Sequence, residues 1–167
     1  SLLGLQDLAR FDLGALRILT NAAAALAQAH LERLLAAFPR AQLFSMYGMT
    51  ECVRASYLPP QDLGRRPGSV GRGMPRQAHW LVDEEGRRLP NGSSGELVVQ
   101  GPHVMRGYWE RPVETQERLK HDPVSGERAL HTGDLFRSDA DGYLYFVARK
   151  DDIIKTRLGM KVLLRHE

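Results

Sequence analysis

Leu43-Phe44-Ser45-Met46-Tyr47-Gly48-Met49-Thr50-Glu51 runs from a short apolar segment into a tight turn that ends in a hydroxyl and a carboxylate. Gly48 allows the backbone to bend sharply or to take a positive φ. Tyr47 offers a flat ring with a polar tip, suited to stacking under a planar base. Thr50 can donate a hydrogen bond to an anionic oxygen, and Glu51 is a hard oxygen ligand of the kind Mg²⁺ prefers. A ring, a hydroxyl and a carboxylate crowded behind a strand point to a nucleotide site at that strand's carboxyl end. A strand followed by an ordinary polar turn is the equally weighted alternative.

Working outward on the amino-terminal side, residues 2–10 read as the end of a helix and 11–14 as a turn. Residues 16–19 read as a short strand entering Thr20-Asn21-Ala22-Ala23-Ala24. The small side chains there let a ligand or another backbone come close; a plain helix start fits them equally. Ala27, Leu31, Leu34, Leu35 and Phe38 recur at helical spacing, and Pro39 ends the run. Strand, helix and strand make a βαβ-like unit, which argues for a parallel sheet. A further strand is expected near residues 53–58.

On the carboxyl-terminal side, Pro59-Pro60 and residues 64–67 break the pattern and mark a subdomain boundary. Beyond it, short strands at 78–82, 96–99, 130–136 and 143–147 alternate with turn clusters such as Asn91-Gly92-Ser93-Ser94-Gly95 and Asp139-Ala140-Asp141-Gly142. That spacing predicts a small antiparallel β unit of barrel-like form. One helix is expected at 112–119, with Pro112 suited to its first turn. Arg149-Lys150-Asp151-Asp152 is a charged break before Ile153-Ile154, as in a linker.

Composition narrows the classes. The 43% hydrophobic and 26% charged content is that of a globular chain. The net charge of +3 is spread over many arginines with no basic run interleaved with aromatics, which argues against nucleic acid as a partner. One cysteine, Cys52, excludes an internal disulfide framework and a cysteine-based metal site, and fits a reducing, cytoplasmic setting. The longest apolar stretch, 22–29, is Ala-rich and too short to span a bilayer. A start at Ser1 inside an apolar pattern reads as an internal fragment.

Four segments, in order, resemble the adenylate-forming superfamily of acyl-CoA synthetases, fatty-acyl-AMP ligases, luciferases and peptide-synthetase adenylation domains. They are Tyr47-Gly48-Met49-Thr50-Glu51; Gly95-Glu96-Leu97 through Gly101, Val104 and Gly107-Tyr108-Trp109 with Arg111-Pro112 and Thr115; His131-Thr132-Gly133-Asp134-Leu135; and Arg149-Lys150-Asp151-Asp152 with Lys155. The resemblance implies an α/β plus antiparallel β fold. This would be the carboxyl-terminal part of the family's large domain, the end of a βαβ layer followed by a small distorted β-barrel. The implied division is an α/β subdomain at 1–66, a barrel-like subdomain at 67–148, and at 149–167 the hinge with the truncated start of the small domain.

The same resemblance implies the site. Asn21, Ala22 and Ala23 would line the acyl pocket and the adenine, with Gly48 at the adenine turn. Tyr47 would stack on the base, Thr50 would bond the α-phosphate, and Glu51 would hold Mg²⁺. Thr50 and Glu51 would thus serve the chemistry. Asp134 would accept from the ribose hydroxyls, a strong charge-assisted anchor. Arg149 would bond the ribose from the other side, with a surface ion pair to Asp151 as the plain alternative. Asp151 would be the hinge for rotation of a small domain. Outside these roles, His131 reads as structural, Gly107-Tyr108-Trp109 as core and turn packing, and Cys52, Met46 and Met49 as packing residues.

The implied activity is that of an ATP-dependent, Mg²⁺-requiring acid–thiol ligase, here as a fragment. It would activate a fatty or other carboxylic acid as acyl-AMP and pass it to CoA or to the phosphopantetheine thiol of an acyl or peptidyl carrier protein. The family's phosphate loop and both its lysines fall outside this sequence, so the 167 residues alone are expected to be inactive. The run 47–54 with 150–155 is closer to acyl-CoA synthetases and free-standing acyl ligases than to amino-acid adenylation domains, which remain an alternative. A non-catalytic nucleotide-binding remnant and an unrelated β-rich basic interaction module are the others. The family's glycine after Arg157 arrives one position late, at Gly159, with Leu158 as an insertion, and residues 162–167 depart from the pattern.

Overall fold

The computed structural model describes residues 11–22, 26–155 and 161–163. The helix end expected at 2–10, Ala23, Ala24, the segment holding Arg157, Leu158 and Gly159, and residues 164–167 lie outside the described residues.

A first, mixed sheet runs in the order β1-β2-β3-β4. β1 (Ile18–Asn21) and β2 (Gln42–Tyr47) are parallel, with Asn21 opposite Ser45. A parallel pair needs a crossover, and α1 (Gln28–Ala37) supplies it. Leu31 and Leu34 of α1 pack with Leu19 and Leu43 of the two strands. A fully buried leucine of this kind contributes about 1.5–3 kcal/mol.

The sheet is not parallel throughout, as the βαβ pattern alone implied. β3 (Ser56–Leu58) is antiparallel to β2, and β4 (Arg72–Gly73) is antiparallel to β3. The loop between β2 and β3 is too short for a crossover, so the chain turns back on itself. β3 also starts later than residue 53, because Val53 sits at φ 51° inside that turn. Gly48 is required there by close approach, since a Cβ on it would lie 1.9 Å from the Val53 carbonyl oxygen.

The second sheet is antiparallel, curled and open, ordered β10-β9-β7-β5-β6 with β8 beside β9. Its strands are β5 (Ala78–Val82), β6 (Arg88–Leu89), β7 (Ser94–Gln100), β8 (Leu119–His121), β9 (Arg128–Ser138) and β10 (Leu144–Arg149). α2 (Pro112–Arg118) lies before β8, with proline in its first turn. The four expected strands are present: 78–82 keeps its bounds, 96–99 and 130–136 lengthen at both ends where ladder partners extend them, and 143–147 moves to Leu144–Arg149. β4, β6 and β8 are too short to leave a period in the sequence. After β10 a 3-10 turn, Lys150–Asp152, leads to β11 (Ile153–Lys155), which pairs with β12 (Lys161–Leu163).

The two sheets are bolted together near the β9–β10 turn. Leu144 exchanges backbone hydrogen bonds with the segment before β4, giving its amide to Gly71 at 2.8 Å and accepting from Val70 at 2.9 Å. Arg66 pairs with Asp139 and Asp141 and stacks 3.8 Å over the Tyr143 ring, whose hydroxyl donates to Asp62 at 2.9 Å. The cores interlock as well: Cys52 and Ala55 of the first sheet's loop pack with Leu97, Leu130 and Phe136 of the second. This junction holds the end of β2 against the middle of β9.

Candidate nucleotide site

β9 carries a bulge where it matters most. Glu96 of β7 stands opposite Leu135, but Val98 stands opposite His131, so Thr132, Gly133 and Asp134 face Leu97 alone. Bulges re-aim side chains and gather beside functional sites. Here the bulge is pinned by the Thr132 hydroxyl, which donates to the Leu97 carbonyl at 2.8 Å and accepts from the Asp134 amide at 3.1 Å. Gly133 takes φ +73°, a left-handed conformation in which Cβ-bearing residues are strained.

The bulge aims Asp134 at Tyr47, the last residue of β2. The Tyr47 hydroxyl donates to Asp134 Oδ2 at 2.7 Å, and its ring meets Phe136 edge-on at 4.8 Å. Arg149, opposite Asp134 in the β9–β10 ladder, brings Nε to 3.2 Å from Oδ1. This is an ion pair without an aligned hydrogen bond, so Asp134 Oδ1 is buried with no hydrogen-bond donor among the described residues. Burial pushes the Asp134 carboxyl above the usual aspartate range, against the pull of Tyr47, Arg149 and Arg118. Burial and then the bond to Asp134 hold the Tyr47 phenol far above its ordinary value, fixing it as a donor.

The turn after β2 forms the other half. Glu51 accepts from the Tyr108 hydroxyl at 2.6 Å, while its own carbonyl accepts from the Met105 amide at 2.8 Å. The Tyr108 amide is held in turn by the Thr115 hydroxyl at 3.0 Å. Arg118, at the end of α2, donates from Nη1 to the Thr132 carbonyl at 3.1 Å and lies against Gly133. Thr50 is exposed at the rim. Asn21 ends β1, with Ala22 directly after it, on the same carboxyl edge as Tyr47, and Asp151 is exposed in the turn after Arg149.

Tyr47, Glu51, Asp134 and Arg149 therefore meet in one neighbourhood, drawn from three parts of the chain: the β2 turn, the β9 bulge and the end of β10. One alternative falls away and one expectation needs correction. Arg149 pairs with Asp134 and not with Asp151. Gly107-Tyr108-Trp109 is not simple packing: Tyr108 bonds Glu51, and Trp109 is 88% exposed. The physical reason is the Met105–Glu51 backbone bond, which carries this loop over the β2 turn. Cys52 is buried as a packing residue, and burial lifts its thiol to about 11. Arg118, Glu96 and Lys150 were missed as contributors; single charged residues at these spacings carry no local signal.

The residues fit a nucleoside and a metal. The buried Oδ1 of Asp134 needs a donor, and a ribose hydroxyl is one. No group of three or more His, Cys, Asp or Glu side chains is placed to hold a metal among the described residues. A lone Glu51 suits Mg²⁺, which is held by one or two carboxylates together with substrate phosphates.

A fold and site of this kind define a nucleotide-binding enzyme class. The family model described as "AMP-binding enzyme" matches residues 2–109, and the chain belongs to that family. It is 41% identical over 112 residues to the long-chain-fatty-acid–CoA ligase of Escherichia coli O6:H1, covering 67% of this chain and 19% of that protein. It is 39% identical over 121 residues to tyrocidine synthase 2 of Brevibacillus parabrevis, covering 71% of this chain and 3% of the other.

Among solved structures, a long-chain-fatty-acid-CoA ligase from Archaeoglobus fulgidus superposes with a TM-score of 0.74 at 32% identity, over 83% of this chain and 29% of that one. The O-succinylbenzoate coenzyme A synthetase of Bacillus subtilis, in complex with ATP and magnesium ion, does so at 0.75 and 26% identity, over 88% and 29%. The chain thus spans about a fifth of the length of the E. coli ligase and under a third of these solved chains.

Proposed function

We propose that this chain carries the base, ribose and metal contacts of an ATP-dependent ligase that joins a carboxylic acid to a thiol. The carrying observation is the convergence of Tyr47 and Arg149 on Asp134, whose buried Oδ1 lacks a hydrogen-bond donor among the described residues. The parent protein would form acyl-AMP and pyrophosphate from a fatty or other carboxylic acid and ATP. It would then transfer the acyl group to CoA or to the phosphopantetheine of a carrier protein. The kinship with acyl-CoA ligases and with a peptide synthetase supports both acceptors.

In this reading Asp134 accepts from the ribose hydroxyls through Oδ1, and Tyr47 keeps the other oxygen occupied so that the carboxylate cannot rotate away. Tyr47 presents its ring to the base, with Gly48 leaving the base room, and Asn21 at the end of β1, with Ala22 after it, lies toward the acyl group; Ala23, expected to join them, is outside the described residues. Arg149 offsets the charge of Asp134 and reaches the ribose. Thr50 donates to the α-phosphate. Glu51, oriented by Tyr108, would hold Mg²⁺, which when bound supplies positive charge to the crowded phosphates. Electrostatic arrangement of this kind does most of the work in phosphoryl and nucleotidyl transfer. Residues 1–66 and 67–148 would form two subdomains, with Asp151 as the hinge into a third part at 149–167. The single buried cysteine fits a cytoplasmic protein, and no helix among the described residues is long and apolar enough to cross a membrane.

Isothermal titration of the chain with ATP and AMP tests the reading. Asp134→Asn is expected to weaken both at least about tenfold, since a hydrogen bond to a charged group is worth about 1.5–3 kcal/mol. It is expected to leave the melting temperature no lower, because the folded state holds the Asp134 carboxyl above its ordinary range. Unchanged affinity in this variant would overturn the assignment.

A further inference from the structure

Glu96 is a buried carboxylate in β7 that no contact proposed above uses. Its side chain is about 10% exposed. Oε1 accepts the Gly133 amide at 3.0 Å, and Oε2 accepts from Lys150 Nζ at 2.9 Å with His131 Nδ1 3.8 Å away. Gly133 is the residue before Asp134, in the left-handed position of the bulge. Lys150 is the residue after Arg149, in the turn that follows β10. One carboxylate therefore grips the immediate neighbours of both groups that converge at the ribose position.

We propose that Glu96 is a positioning residue that sets the Asp134–Arg149 grip, holding Asp134 through the Gly133 amide and Arg149 through Lys150. The inference rests on the ribose reading given above. Among the described residues Glu96 bonds neither Asp134 nor Arg149, and its oxygens are committed to Gly133 and Lys150, with His131 near. A carboxylate buried in a sheet is costly unless paired and hydrogen-bonded, and here both oxygens are. Although burial opposes its ionisation, His131, Lys150 and the Gly133 amide pull its pKa down to about 2, so the brace is charged at any ordinary pH. An anchor only one residue away from each gripping side chain transmits small shifts directly; at metal sites, partners that orient the ligands govern about 10–100-fold of affinity, and the lower end is expected here.

The experiment compares the chain's affinity for AMP with that for 2′-deoxy-AMP, a ratio that reads the ribose contact alone. Asp134→Asn, Glu96→Gln and Lys150→Met are measured beside the unaltered chain. Lys150 is half exposed, so its variant is expected to fold. All three variants are expected to lose the preference for the ribonucleotide, by about tenfold in the brace variants. The double variant of Glu96 and Lys150 is expected to lose no more than Glu96→Gln alone, and Lys150→Arg to restore the preference. If Asp134→Asn loses it while Glu96→Gln and Lys150→Met keep it, the brace is overturned and the ribose grip stands. If all three keep it, the grip itself fails and the brace with it. A lower melting temperature with an unchanged ratio marks Glu96 as a stabilising residue only and also overturns the brace.

Discussion

Tyr47 and Asp134 are joined by a 2.7 Å hydrogen bond although 87 residues separate them in the chain. The bond links the end of a parallel strand in one sheet to a bulge in the other. It also ties the protonation of one group to the other: Tyr47 is one of the groups that oppose the rise in the Asp134 pKa caused by burial.

Tyr47→Phe should therefore raise that pKa further. Asp134 must be ionised to accept two ribose hydroxyls, so nucleotide affinity falls as pH drops through its folded pKa. In the variant this acid limb is expected at higher pH. Arg149, Arg118 and Glu51 still face the carboxylate in both proteins. Affinity for AMP measured from pH 4 to 8 checks the shift; superimposable limbs would refute the coupling.

Two glycines separate packing from function. Gly48→Ala drives a Cβ to within 1.9 Å of a backbone oxygen that cannot move away cheaply, and should cost about 3 kcal/mol, the upper end for overpacking. Gly133→Ala meets only the far end of Arg118, at 2.1 Å, but forces alanine into φ +73°, worth about 1–2 kcal/mol. Urea unfolding should rank Gly48→Ala as the more damaging. Nucleotide titration should still find Gly133→Ala impaired in its folded fraction, because the bulge carries Asp134.

Glu51→Gln should abolish the Mg²⁺-dependent part of ATP binding while leaving AMP binding in the absence of metal nearly intact. Tyr108→Phe should reproduce a weaker version, since it removes the 2.6 Å bond that orients Glu51 without removing the ligand. Titrations of ATP with and without MgCl₂ decide this. Equal magnesium enhancement in Glu51→Gln would exclude the metal role.

Glu96 gives an acid signature. Its folded pKa of about 2 lies below the ordinary 4.5, so its contribution to stability is full above about pH 4.5 and lost as pH falls toward about 2. Glu96→Gln should be less stable than the unaltered chain at pH 7, and the gap should narrow across that acid window. Melting curves between pH 2 and 7 test it, and a constant gap would contradict the ionised brace.

The longer strands, the α1 crossover and the turn at Gly48 were legible in the sequence, because periodicity, proline and glycine act over a few neighbouring residues; the family was legible through the resemblance of four short motifs in order. The tight turn after Tyr47 and the polar residues it presents belong to the same category. What the sequence could not decide was pairing. β3, expected but not its direction, and β4, whose two residues leave no pattern to read, turn the first sheet mixed.

Only the tertiary structure decided that Arg149 faces Asp134 and not Asp151, and that Tyr108 is aimed at Glu51. Only it showed that Glu96 reaches both Gly133 and Lys150. Those outcomes depend on where the β9 bulge falls in its ladder and on how one sheet is bolted to the other. Local chemistry fixes which groups can bond, but long-range register selects which of them meet.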